Sequence, residues 1–171
     1  DNPVPEDFTS HYDRKEQGLV VDYIIIMGYD EHYVGSDAGS VASLPWVEQG
    51  VQDTITEVAP ERTILAIPFY TRLWKTTGGA VTSEAIGMDE AQNVLSTNGV
   101  EAVWDGSVGQ NYATFEQDNS TYQIWLEDAQ SIAEKVKLIQ KYNLAGVAQW
   151  KLGFENSSIW QTISDNLQAA S

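Results

Sequence analysis

The segment VDYIIIMGYDEHY (21–33) runs from β-branched residues through Met27 and Gly28 into an aromatic and a carboxylate, Tyr29 and Asp30. Two other apolar runs end in a similar way. TILAIPFY (63–70) is followed by Thr71 and Arg72, and LAGVAQW (144–150) closes on Gln149 and Trp150. Aromatic faces beside fixed hydrogen-bonding groups suit a pyranose ring, whose C–H face is apolar while its edge is a belt of hydroxyls. A later segment adds Trp104 with its neighbour Asp105, and Tyr112, Tyr122 and Trp125, which together would wall a groove for a sugar chain.

Each of these residues also has a plainer use. Met27 and Phe69 read first as core residues on burial preference, and Tyr29 and Trp150 also fit aromatic plugs at strand ends. Asp30 fits a loop cap and Arg72 an ordinary ion-pair partner, while Asp105, Glu127 and Asp128 read as helix-start or solvated carboxylates. The two histidines, His11 and His32, are too few for a His-based metal site, and no metal or cofactor is implied. There is no nucleophile elbow, P-loop, dinucleotide fingerprint or HExxH, and no cysteine. Asp30 and Glu31 are adjacent, which places them poorly for flanking a scissile bond.

These residues need strands that end on one rim. The run VVDYIIIMGY (20–29) has the pattern of a strand covered on both faces, and 63–70 and 144–150 repeat it. Between the first two, Leu44, Val47, Val51, Ile55 and Val58 recur at helical spacing before Pro60, which makes a β–α–β unit. Residues 127–143 place Ile132, Val136 and Ile139 on one stripe, and 156–170 reads as a closing helix after capping-type residues. The region 80–126 breaks the alternation: 83–99 reads as helix, and 102–105, 111–117 and 121–127 as short strands, the last two joined by a turn at Asp118-Asn119-Ser120. The scaffold is therefore α/β, either a small open sheet or part of a β/α barrel. A whole barrel takes about 250 residues, so 171 residues cannot close one. In both scaffolds the functional edge lies where the strands end.

Composition narrows the partners. With 42% hydrophobic residues the chain supports a packed core, and no apolar run approaches a transmembrane span. A net charge of −16, from 25 acidic against 9 basic residues, argues against nucleic acid or an anionic membrane surface, because the long-range field repels phosphate.

The ordered segments VDYIIIMGYDEHY, GSVASLPWVEQGV, ERTILAIPFYTRLW and WLEDAQSIAEKVKLIQKYNLAGVAQWKLGFE resemble the C-terminal half of glycoside hydrolase family 18, most of all its bacterial spore-cortex and cell-wall branch. The resemblance implies the C-terminal part of a (β/α)8 barrel, about strands six to eight, with a small α+β domain inserted after the seventh. The corresponding divisions are 1–77 and 128–171 as barrel segments and 78–127 as the insertion. It also implies that Asp30 hydrogen-bonds the sugar at the cleavage subsite, that Tyr29 helps orient the acetamido group, and that Trp150 forms the floor. Met27, Tyr70, Arg72, Trp104 and Asp105 are the further substrate-binding candidates. In this family the N-acetyl oxygen attacks the anomeric carbon and one Glu, in D-x-x-D-x-D-x-E, serves as acid and base. That motif is absent from these residues and is expected upstream of Asp1, so the chain alone is expected to be inactive. The implied ligand is an N-acetylglucosamine-containing polysaccharide, chitin or peptidoglycan, and the implied location is secreted, cell-wall or spore-associated. A lectin-like relative without the acid is the alternative. The missing barrel half is expected to cover the exposed strands, or the chain to self-associate.

Overall fold

The computed structural model describes residues 13–168. Among them are five α-helices and two sheets. The first sheet is parallel and ordered β1 (Ile24–Met27), β2 (Thr63–Pro68), β8 (Gly146–Trp150). Helix α1 (Arg14–Val20) precedes β1, and Asp13 caps it by accepting the Glu16 N–H at 2.9 Å. Helix α2 (Leu44–Ile55) and a 3-10 turn (Pro60–Arg62) connect β1 to β2. Pro45 sits in the first turn of α2, and Val47, Val51 and Thr54 form its buried stripe.

The second sheet is antiparallel, ordered β4 (Ala80–Gly87), β3 (Tyr70–Thr77), β7 (Ser120–Leu126), β6 (Gln110–Gln117), β5 (Val103–Asp105). Helix α3 (Met88–Asn98) follows β4 and covers one face of this sheet, packing Ala91 and Leu95 on Ile86, Ala113, Ile124 and Leu126. Two-residue turns close two of the three hairpins. Asp118 and Asn119 (φ 50° and 55°) join β6 to β7, and Gly78 and Gly79 (φ 56° and 86°) join β3 to β4, the left-handed geometry that matches strand twist. Helix α4 (Ala129–Lys141) and helix α5 (Ile159–Gln168) flank β8 in sequence, and both pack into the main core.

Three expectations are corrected. Residues 83–87 are strand, not helix: β4 stays paired with β3 through Gly87, and α3 begins at Met88. Only 24–27 of the first apolar run are strand, and that strand is not covered on both faces, since Ile25 is 56% and Met27 69% exposed. Met27 is therefore no core residue. The helices cover Leu65 and Ile67 on one side of the parallel sheet, whereas Ile25 and Met27 face the other way. Finally, Glu127 is not solvated but 2% exposed and held by Lys135.

Helix α4 shows how its sequence sets its place. Asp128 and Ser131 form a reciprocal capping box at its start. Ile132, Val136 and Ile139 are buried on one stripe, with Ser131 and Lys135 completing it. The polar pair reaches a network beneath the helix. Glu127 accepts from Lys135 Nζ at 2.8 and 3.0 Å, from Ser131 Oγ at 2.8 Å and from Gln110 Nε2 at 2.8 Å, and Gln110 Oε1 in turn accepts from Ser40 Oγ. This network ties α4 and the second sheet to the loop after β1.

The bare side of the parallel sheet makes a prediction. Ile25 and Met27 stand exposed on it, a groove of about 620 Å³ opens at the outer edge of β1 between that strand and α2, with Trp46, Val47 and Gly50 in its lining, and β1 and β8 are both edge strands. Unpaired edges beside exposed apolar side chains favour association. The 171-residue chain is expected to sediment as a dimer or larger species; a monomer at all loading concentrations with one cooperative thermal transition would contradict this.

Candidate functional site

Because β1, β2 and β8 are parallel, their carboxyl ends share one edge, with Met27 paired to Ala66 and Pro68 paired to Trp150. The chain leaves each strand there under backbone control. The Gly28 N–H donates to the Ala66 carbonyl at 2.8 Å, and the Phe69 N–H donates to the Trp150 carbonyl at 2.7 Å. Gly28 is required by crowding, since a Cβ would stand 2.9 Å from Leu65 Cδ1 and 3.0 Å from the Ala66 oxygen. Phe69 is fully buried at the point where the chain passes from the first sheet into β3, against the edge of Trp160 at 5.4 Å. The Trp150–Lys151 peptide bond is cis.

Asp30 follows at φ 67°, a left-handed conformation that Asp tolerates better than most residues but that still costs energy. Its Oδ1 accepts a hydrogen bond from the Tyr70 hydroxyl, and Tyr29 meets the Tyr70 ring edge-on at 6.2 Å. Burial, and then the hydrogen bond to Asp30 and its negative charge, push the Tyr70 phenol well above its ordinary range. Tyr29 is raised too, by burial first and the charge of Asp30 second. Neighbouring Glu31 does not point its chemistry at the rim: it accepts from the Ser43 N–H at 2.7 Å and Oγ at 3.0 Å, holding the start of α2. His32 packs on Gly39 and its Nδ1 lies 3.0 Å from the Asp37 carbonyl oxygen.

Strand β3 carries the site onto the second sheet. Side chains alternate across a strand, so Tyr70, Arg72 and Trp74 share one face, opposite the face under α3. The pairing of Trp74 with Gln123, and of Trp125 with Tyr112, places Gln123, Trp125 and Tyr112 on that same face. Tyr112 and Trp125 pack at 4.8 Å, and Gln123 Nε2 donates to the Tyr112 hydroxyl at 2.8 Å. Trp74 is buried and donates to the Gly39 carbonyl at 2.9 Å, which seats the loop after β1 on this face. Arg72 Nη1 donates to Ser83 Oγ at 2.9 Å, while its Nε is buried without an acceptor.

The register separates the other candidates. Trp104 pairs with Asn111 and Tyr122 with Phe115, both on the α3 face. Tyr122 is stacked on Phe115 at 4.9 Å there, with Lys75 Nζ 5.6 Å from its ring centre. The Asp105 carboxylate is engaged locally, accepting from Ser107 N–H at 2.8 Å and Oγ at 2.6 Å, contacts that hold it below the usual carboxylate range. Brought together at the parallel-strand edge are Tyr29, Asp30, Tyr70, Arg72 and Trp150; Met27 and Trp150 are exposed, at 69% and 53%. Gln123 and the sorting of the aromatics by face were not foreseen, because face depends on a register that sequence does not print.

The family model for glycosyl hydrolases family 18 matches residues 2–155. The chain belongs to that family. An uncharacterized glycosylase of Bacillus subtilis is 26% identical over 159 residues, covering 92% of this chain and 46% of the relative. The cortical fragment-lytic enzyme of the same organism is 26% identical over 157 residues, 90% of this chain and 36% of that one. Among solved structures, a chitinase from Chromobacterium violaceum superposes with a TM-score of 0.85 at 26% identity, covering 92% of this chain and 49% of its own. The spore cortex-lytic enzyme of Bacillus megaterium gives 0.81 at 25% identity, covering 91% and 36%. The chain thus spans less than half the length of these family 18 relatives. Its α/β fold is similar to that of family 18 chitinases, and the matching family is one of glycosyl hydrolases.

Proposed function

We propose that this chain is the C-terminal, sugar-binding part of a family 18 (β/α)8 barrel that hydrolyses β-1,4 links next to N-acetylglucosamine in chitin or peptidoglycan, at a cell wall or spore. The observation that carries this reading is the convergence of Tyr29, Asp30, Arg72 and Trp150 around the carboxyl ends of three parallel strands. Active sites of (β/α)8 enzymes are built at that end of the strands. The three strands correspond to the sixth, seventh and eighth of the barrel, and residues 78–127, which carry α3 and strands β4 to β7, to the inserted α+β domain.

In this reading Trp150 lays its exposed indole under the apolar face of the sugar at the cleavage subsite. Asp30 accepts a hydrogen bond from the same sugar, and Tyr29 orients its acetamido group. Holding the acetamido oxygen under the anomeric carbon lets the substrate supply its own nucleophile, so one acid/base carboxylate suffices. Arg72, on the face shared with Tyr70, lines the groove beside it. Met27, exposed at the end of β1, borders the groove on the other side. Trp104 lies on the opposite, α3 face of the second sheet and the Asp105 carboxylate is engaged by Ser107, so neither is assigned to this groove.

The general acid motif is absent from these 171 residues, and a missing general acid costs about 10²–10⁴ in rate. The chain alone is therefore expected not to hydrolyse N-acetylglucosamine oligomers, whereas a longer polypeptide carrying D-x-x-D-x-D-x-E ahead of Asp1 is expected to do so. Robust turnover by the 171 residues alone, or none by the longer polypeptide with its motif intact, would overturn this. A longer polypeptide whose motif ends in a residue other than an acid would instead be a sugar-binding relative.

A further inference from the structure

Tyr70 is the rim aromatic with the least surface to offer a ligand. It is 6% exposed, against 53% for Trp150, and its ring is packed edge-on against Tyr29 within the main core. Its hydroxyl nevertheless donates to Asp30 Oδ1, and among the described residues this is the only hydrogen bond the Asp30 carboxylate receives. Asp30 itself is exposed and sits on a left-handed backbone at φ 67°, three residues past the end of β1. An exposed carboxylate at the end of a loop has several rotamers open to it, and one buried donor is enough to select among them.

We propose that Tyr70 is a positioning residue: its buried phenol fixes Oδ1 of Asp30, leaves Oδ2 for a hydroxyl or amide N–H of the sugar, and makes no sugar contact of its own. This rests on the reading of Asp30 as a sugar ligand. Burial and the Asp30 charge keep the phenol protonated far above its ordinary range, so the donor persists wherever the fold does. Tyr29, whose ring meets that of Tyr70 edge-on, limits how far the phenol can swing.

The test is a double-mutant cycle on affinity for an N-acetylglucosamine tetramer, read by chemical-shift titration of the unmodified chain, Tyr70→Phe, Asp30→Asn and the double variant. Losing a charge-assisted hydrogen bond is expected to weaken binding roughly tenfold. Both single variants should show a loss of that size, and the double variant no more than Asp30→Asn alone, because the two groups act through one carboxylate. A purely structural role would move the thermal midpoint and leave the dissociation constant of the folded protein unchanged. Additive losses would mean that Tyr70 touches the sugar, and an unaltered Tyr70→Phe would mean that it positions nothing; both overturn the proposal. Failure of the unmodified chain to bind the tetramer would sink the reading of the site instead. The crystal structure of Tyr70→Phe then decides the positioning claim separately, with Asp30 in a new rotamer supporting it and an unmoved carboxylate refuting it.

Discussion

Replacing Lys135 by methionine is expected to lower the stability of the chain by about 3–5 kcal/mol, the cost of leaving a buried charge without its partner. Lys135 is fully buried and Glu127 only 2% exposed. The ammonium spans both oxygens of that carboxylate, at 2.8 and 3.0 Å. Ser131 and Gln110 would remain as neutral donors, too weak to hold a dry carboxylate ionised. Burial already pushes the Glu127 carboxyl up, with Lys135 opposing the shift, so removing the lysine raises it further. A carboxyl raised in the folded state costs nothing where both states are protonated and progressively more as pH climbs past its unfolded value. The penalty should therefore shrink toward acid. Replacing both residues, Lys135→Met with Glu127→Leu, should restore much of the loss. Urea denaturation of the three proteins measures this, and a single variant within about 1 kcal/mol of the parent would contradict the buried pair.

Trp150→Ala is expected to weaken binding of an N-acetylglucosamine oligomer by roughly 30-fold, the effect of truncating an aromatic anchor worth about 2 kcal/mol. The indole is 53% exposed at the end of β8, so its apolar face is available to a ring and its removal leaves no cavity in the core. The strand keeps its backbone contacts, including the bond from the Phe69 N–H to the Trp150 carbonyl, and the thermal midpoint should move little. Unchanged affinity would mean that Trp150 is a bystander. A collapse of the fold would mean that it is a structural plug.

Much of this arrangement is legible in the chain. The stripes of α2 and α4 follow the spacing of Val47 and Val51 and of Ile132, Val136 and Ile139, because helical burial repeats locally. The strand ends are legible for the same reason, as breaks in apolar runs. The β3–β4 hairpin is harder to see. Its strands are rich in Thr, Lys, Ser and Glu, and only the Gly78-Gly79 pair marks the turn. Which face each aromatic takes depends on a pairing register between segments up to 50 residues apart, as for Trp74 and Gln123, and nothing local encodes it. The Glu127 network does leave a trace in the sequence. Ser131 and Lys135 stand four and eight residues after Glu127, on the stripe that carries Ile139. A lysine on an apolar stripe asks for a buried partner. The bare side of the parallel sheet was unreadable, because Ile25 and Met27 are apolar and their sequence pattern is that of strands covered on both sides.

The central claim is that the rim around Asp30 and Trp150 takes an N-acetylated sugar. The most direct measurement is a chemical-shift titration of the 171-residue chain with two tetramers that differ only at the 2-position, one of N-acetylglucosamine and one of glucose. Binding of the first, with perturbations at Tyr29, Asp30 and Trp150, and markedly weaker binding of the second is the predicted result. Equal affinity for both, or perturbations confined to residues away from the three strand ends, would contradict it.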